Sequence, residues 1–371
     1  MEKKQFVNQL KTKEEVGSVF LVKHIALMEG RDGRSYLNVI LSDSTGDLES
    51  RKWAHGEGVA KEIFRGDYVF VRGKINLFQN RSQLIIQEIN KISPDEINKE
   101  DFLTTSSTAP EKMFEELVAI VESMEDVYLK VLVKNIIFDP EIERRLKSWP
   151  AGRSIHHPYA GGLLEHLLSC TRLGNHLAPF YNLNRNFVIA GTALHDLGKI
   201  YELSDGELVD YTEEGKLIGH LLKGLEVVDR FSMKIPNFPA NTRMHLKHIL
   251  AAHHGEYDCG SPKIPHTTEA YLVYLIDLLD SKINSMEWAK RMDNTPGNWT
   301  NFNKSLERLI YKGQLPVYTE FNTVEAPEDR ENVPRPPTAP EPTGRPKVSG
   351  KPFANLLKDL QVNPDSDPDK D

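Results

Sequence analysis

Two periodicities divide the chain. Over residues 14–93 apolar and polar positions alternate with a period of two, and β-branched residues are frequent, which predicts half-buried strands. Five are expected: Ser18–Leu27, Ser35–Asp43, Asp47–Trp53, Asp67–Ile75 and Gln83–Ile89. Turn-forming strings such as GRDGRS, DSTGD and QNRS separate them. A helical or irregular piece around Val59–Phe64 falls between the third and the fourth. Over residues 111–312 the apolar spacing changes to three and four, the pattern of amphipathic helices. From Phe321 onward the apolar pattern nearly stops. The string NVPRPPTAPEPTGRPKVSGKP holds too many prolines for a helix or a central sheet.

Five short strands with an insertion before the fourth suit an OB barrel. The expected architecture is therefore multidomain. An N-terminal all-β OB barrel occupies residues 1–95, a helical linker region 96–153, an all-α helical bundle 154–321, and a Pro-rich disordered tail 322–371. One short amphipathic piece, PFANLLKDL, interrupts the tail.

The alternation also assigns faces. In YVFVRGKI, Val69, Val71 and Ile75 point one way, and Tyr68, Phe70, Arg72 and Lys74 the other. In YLNVILSD, Leu37, Val39 and Leu41 form the core side, with Tyr36 and Asn38 opposite. In SVFLVKHIAL, Val19, Leu21 and Ile25 are expected inward, and Phe20, Val22 and His24 outward. One face then mixes rings with cations, as a single-stranded nucleic-acid platform requires: bases stack on Phe20, Tyr36, Tyr68 and Phe70, and phosphates meet Arg72 and Lys74. The same alternation fits a barrel that packs Phe20 and Phe70 inside and uses Arg72 and Lys74 as solubilising charges.

Composition narrows the class. The 371 residues are 39% hydrophobic and 27% charged, as in an ordinary soluble globular protein. The net charge of −8 excludes a histone-like coat for nucleic acid but not a local basic groove. Residues 1–95 carry 15 basic against 13 acidic side chains, so only the front of the chain has a positive balance. Two cysteines, Cys170 and Cys259, are too few for a disulfide framework. No apolar run is of membrane-spanning length, and MEKKQFVNQL lacks the apolar core of a secretory signal, so a cytoplasmic location is expected.

Eleven of the 13 histidines lie between His156 and His266. His166 falls in LLEHLLSCTRL. His195, Asp196 and Lys199 end NFVIAGTALHDLGK, and His220 lies in KLIGHLLKGLEVVDRF. His253 and His254 close MHLKHILAAHHGE, and Asp277 and Asp280 lie in EAYLVYLIDLLDSKI. Burying such groups costs free energy unless they are paired or coordinated. A divalent metal is the simplest common partner, and imidazole with carboxylate suits manganese, iron or zinc. Asp196, adjacent to His195, can bridge two ions, an arrangement that clamps a phosphate. His245 and His248 are left outside this set, and His176 and His266 are read as solvated. Asp280 lies on a neighbouring face, either supporting a ligand or pairing with Lys282.

These residues resemble the HD phosphohydrolase superfamily over about residues 155–290. The carriers are His166 in GGLLEHLLS, His195–Asp196 in ALHDLGK, His220, His253–His254 and Asp277. The resemblance implies an all-helical HD domain in which His166, His195, Asp196 and Asp277 hold one metal. Asp196, His220, His253 and His254 hold a second, and Lys199 contacts a substrate phosphate. After His254 the chain reads GEYDCGSPKIP rather than Gly-Tyr-Pro, which speaks against a cyclic-di-GMP substrate. Gly162 stands where a third-metal branch carries Glu. The order of barrel and HD domain, with IHHPYAGGLLEHLLS, HDLGKIYEL and LIDLLDSKI, resembles the YhaM-type 3′–5′ exoribonucleases over roughly residues 15–315.

That resemblance implies hydrolysis of single-stranded RNA, or of single-stranded DNA, from the 3′ end with two divalent ions. Manganese is the first candidate, and iron, cobalt or magnesium the others. His157 either donates a proton or phosphate contact or serves the loop structurally. Two rival readings stand beside this one: an HD nucleotidase or cyclic-nucleotide phosphodiesterase, and a non-catalytic RNA-binding protein. No membrane partner is expected. The sequence leaves homo-oligomerisation and the tail's partner open.

Overall fold

The computed structural model describes residues 3–316 apart from 31–32, 54–55, 79–80, 107, 154, 205–207 and 294. The tail expected over 322–371, with PFANLLKDL, lies outside the described residues. Five strands, β1 (Glu15–Glu29), β2 (Ser35–Asp43), β3 (Gly46–Lys52), β4 (Tyr68–Phe78) and β5 (Arg81–Ile92), close into a barrel in the order β1-β2-β3-β5-β4. The β3–β5 pairing is parallel and the others antiparallel. Helix α1 (Gly56–Glu62) enters between β3 and β4, and Ile63 just after it joins the barrel core. This is the expected OB barrel.

The faces of β1 differ from the sequence expectation. Phe20 and Val22 lie in the barrel core with Leu37, Val39, Leu41, Val69 and Val71. Val19 and Leu21 lie on the outer side with Tyr68 and Phe102, against which Phe70 and Leu208 pack. The β1–β2 register shifts between Val22 and His24, so the phase inverts there and Ile25 returns to the core side. Phe20 is therefore not a stacking residue: it is fully buried, with the Lys3 ammonium 3.9 Å from its ring centroid. Tyr68 is not one either. It is buried edge-on against Phe102, with centroids 4.9 Å apart, because the segment after the barrel covers this face. Phe70 is half-buried beside them, whereas Arg72 and Lys74 are exposed.

Ten helices follow. They are α2 (Pro110–Glu122), α3 (Val127–Ile137), α4 (Pro140–Ser148), α5 (Gly162–Phe180), α6 (Arg185–Leu194), α7 (Lys199–Glu202), α8 (Glu213–Leu217), α9 (His220–Ser232), α10 (Ala240–Ala252) and α11 (Thr268–Met292). Their starts are encoded locally. Asp139 caps α4 ahead of Pro140, Asn184 caps α6, and Thr267 caps α11. The helices expected in a linker share one apolar core with the rest: Leu117, Leu129 and Leu132 pack with Leu163, Leu167, Leu194 and Ile249. Arg65 at the end of the barrel insertion pairs with Asp210 of the helical part at 2.7 Å. Among the described residues no helix is long and apolar enough to cross a membrane.

Candidate metal centre

The centre forms where five helices begin, end or pass. His166 lies one turn into α5. His195 caps the C-terminus of α6, and Asp196 follows it. His220 opens α9, His253 and His254 end α10, and Asp277 lies in α11. Two glycines permit this convergence. A Cβ on Gly198 would stand 1.9 Å from the His220 carbonyl oxygen, so the HDLGK turn can approach α9 only with glycine there. A Cβ on Gly162 would stand 2.2 Å from the His157 carbonyl oxygen, which explains the glycine that opens α5.

All seven residues expected as ligands are brought together, and Asp196 stands between two groups of them. Its Oδ2 faces His166 Nε2 at 3.4 Å and His195 Nε2 at 3.7 Å. Asp277 Oδ1 completes that group, 3.3 Å from His166 Nε2 and 3.7 Å from His195 Nε2. Asp196 Oδ1 faces His220 Nε2 and His253 Nε2, each at 3.5 Å. His254 Nε2 lies 3.1 Å from His220 Nε2. His156 joins the first group, with Nε2 3.6 Å from Asp196 Oδ2.

The donor chemistry fits divalent cations. Each of five imidazoles donates Nδ1–H to an oxygen: His166 to Asp280 at 2.8 Å, His195 to the Thr192 carbonyl at 2.9 Å, and His220 to Glu202 at 2.9 Å. His253 donates to the Leu250 carbonyl at 2.8 Å and His254 to the Cys259 carbonyl at 3.0 Å. An acceptor at Nδ1 fixes the proton there and turns the Nε2 lone pair inward, the arrangement found behind metal-bound histidines. His166 and His195 then oppose lone pairs 3.0 Å apart, and His220 and His254 do so at 3.1 Å. Asp196 Oδ1 and His253 Nε2 are buried and lack any hydrogen-bond partner. Facing lone pairs and orphaned buried acceptors are costly alone and are relieved by a cation between them.

Charge follows the same plan. Burial opposes ionisation of Asp196, but Lys199 foremost, with the imidazoles around it, outweighs this and holds the carboxyl well below its usual range. Asp277 is likewise held well below its usual carboxylate range although burial opposes its ionisation. Burial lowers His253 and His254 and pushes His156 down to about 3, so these rings are neutral at physiological pH. Lys199, expected at a substrate phosphate, pairs with Asp196 Oδ2 at 2.6 Å. Asp280 does not pair with Lys282: it accepts from His157, His166 and Ser169. His176 and His266 are exposed, and His245 and His248 stand outside the centre.

Sequence reasoning missed Glu202, His156 and part of the barrel surface. Glu202 carried no signal beyond its place in HDLGKIYEL. On the barrel, Tyr36 lies with Trp53 at 4.8 Å between centroids, and the Arg51 guanidinium lies 5.1 Å from the Tyr36 ring and 5.3 Å from that of Phe78. Trp53 and Phe78 are about half exposed. A Trp two residues after Arg51, closing the expected third strand, was the available signal.

Known proteins resemble this chain along both parts. A family model described as HD domain matches residues 163–282, and one described as OB-fold nucleic acid binding domain matches residues 16–92. The 3′–5′ exoribonuclease YhaM of Oceanobacillus iheyensis is 32% identical over 302 residues, covering 81% of this chain and 94% of that protein. The protein of the same name from Bacillus subtilis is 30% identical over 302 residues, covering 81% of this chain and 95% of its own. A solved OB-fold domain of replication protein A from Methanococcus maripaludis covers 25% of this chain at 18% identity, with a TM-score of 0.21, and adds nothing to the barrel described above.

Proposed function

This chain belongs to the family of YhaM 3′–5′ exoribonucleases, and we propose that it hydrolyses single-stranded RNA from the 3′ end with two divalent ions, manganese foremost, in the cytoplasm. The observation that carries the reading is Asp196, whose two carboxylate oxygens face two separate groups of imidazoles. His166, His195, Asp196 and Asp277 would hold one ion, and Asp196, His220, His253 and His254 the other. Bound divalent ions would supply Lewis-acid activation of water and of the phosphoryl group.

The chain's own residues do the rest. Asp280 and Glu202 orient His166 and His220 through their Nδ1 atoms. Lys199 stays cationic because Asp196 offsets the cost of its burial, which leaves a positive charge at the rim of the centre for a phosphoryl oxygen. On the barrel, Tyr36, Trp53 and Phe78 offer stacking faces and Arg51 a cation, with Arg72 and Lys74 exposed on β4. The nucleotidase and non-catalytic readings are not favoured, because the relatives that match along both parts are 3′–5′ exoribonucleases. Incubating 5′-labelled RNA with manganese and protein tests the reading. Wild type should give a ladder shrinking from the 3′ end, and Asp196→Ala should leave the RNA intact. Unchanged RNA with wild type across several metals contradicts it.

A further inference from the structure

The loop before α5 holds two consecutive histidines in left-handed backbone, His156 at φ 66° and His157 at φ 52°. Such backbone is uncommon outside glycine, and it clusters at functional sites. His157 is fully committed within the protein. Its Nδ1 meets the Tyr159 hydroxyl at 2.9 Å, its Nε2 meets Asp280 Oδ2 at 2.9 Å, and its backbone N–H donates to Asn284 at 2.8 Å. It has nothing left to offer a substrate, so the structural role weighed for it in the loop is the one its contacts support.

His156 is placed differently. Its ring lies against His166, with centroids 4.2 Å apart, and its Nε2 faces Asp196 Oδ2 at 3.6 Å. Its Nδ1 is buried and has no hydrogen-bond partner. The five imidazoles of the centre each have an oxygen acceptor at Nδ1, which leaves Nε2 as a lone pair. No acceptor holds the His156 proton on Nδ1, and the Asp196 carboxylate favours it on Nε2. The centre thus receives five lone pairs and one N–H. A donor aimed among ligands for cations suits an anionic oxygen brought in beside them.

We propose that His156 is a substrate-contacting residue whose Nε2–H donates to a phosphoryl oxygen of the RNA terminus. The proposal rests on the exoribonuclease reading and moves the phosphate contact from His157 to its neighbour.

Three variants separate the atoms. His156→Gly removes the ring and accepts φ 66°. His156→Gln places an amide N–H near the position of the imidazole Nε2. His156→Asn, also at ease in left-handed backbone, reaches only as far as Nδ1. Full-length proteins loaded with manganese are assayed for kcat and KM on 5′-labelled single-stranded RNA, for bound manganese by elemental analysis, and for adenosine 5′-monophosphate binding by calorimetry. All three variants should hold as much manganese as wild type. His156→Gln should keep kcat/KM within about 10-fold, while His156→Gly and His156→Asn should lose about 10–100-fold, the scale of one hydrogen bond to a charged oxygen. Monophosphate binding should weaken in the same order. Loss of manganese from His156→Gly would make His156 a metal ligand and overturn the proposal. Wild-type activity in all three variants, or His156→Gln as impaired as His156→Gly, would overturn it too. If wild type left RNA intact yet bound the monophosphate through His156, the exoribonuclease reading would fall and the phosphate contact would stand.

Discussion

At the scale of single residues, the groups behind the expected ligands fix the orientation of their rings. Glu202 accepts from both the ring and the backbone N–H of His220, at 2.9 Å and 3.1 Å. Removing such an outer partner typically costs 10–100-fold in metal affinity or activity. Glu202→Gln should therefore weaken one of two manganese binding steps by about 10–100-fold and leave the other near wild type, as read by calorimetric titration. Equal weakening of both steps would mean that the groups on either side of Asp196 do not act as separate sites. The residue scale is also where the sequence was least legible. His156 and His157 are chemically identical neighbours, and only the positions of Tyr159 and Asp280 decide which ring is committed.

At the scale of elements, close approaches and caps position the chemistry. Gly198 lets the turn after α6 touch the backbone that opens α9. Gly198→Ala must push His220 away, so it should destabilise the fold by about 1–3 kcal/mol and weaken the manganese step that needs His220, by melting curves and titration. Beyond α11, Asp293 accepts from Lys312 at 2.8 Å and from the Asn301 backbone at 2.9 Å, fastening the segment that follows. Burial raises its carboxyl, but the hydrogen bonds from Lys312, Thr295 and Asn301 prevail and hold it below the usual range. A carboxyl whose folded pKa is depressed stabilises the fold above its unfolded value and loses that contribution as pH falls through the folded one. Asp293→Asn should therefore lower the melting temperature at pH 7, and the gap to wild type should close below about pH 4. A gap that persists or widens in acid would contradict the assignment. Element identity was largely legible: all five strands and the insertion before the fourth were expected. The face of β1 was not. Val19, Phe20, Leu21 and Val22 are all buried, because the barrel takes one side and the Phe102 segment covers the other. Alternation carries no phase where both faces are apolar, and the shifted register after Val22 hides it further.

At the scale of the molecule, the outer face of β1 and β4 around Val19, Leu21 and Tyr68 is taken up by packing, and the Tyr36–Trp53–Arg51–Phe78 cluster offers aromatic surface to a strand elsewhere on the barrel. Trp53→Ala should weaken binding of a long single strand by about 1–3 kcal/mol, measured by fluorescence anisotropy, and spare manganese content. Unaltered binding would place the strand elsewhere. The convergence of the seven side chains expected as ligands, spread over more than a hundred positions, was legible because each follows or lies within an amphipathic helix beside apolar neighbours. A buried histidine or aspartate in that setting demands a partner. The anchoring oxygens of Thr192, Leu250 and Cys259 were not legible, being backbone carbonyls that any sequence carries. The central claim is that Asp196 divides a centre for two cations. The most direct measurement is an anomalous-difference map from crystals grown with manganese. Two peaks about 4 Å apart, one beside each oxygen of Asp196, are expected; a single peak, or none among these side chains, would contradict the account.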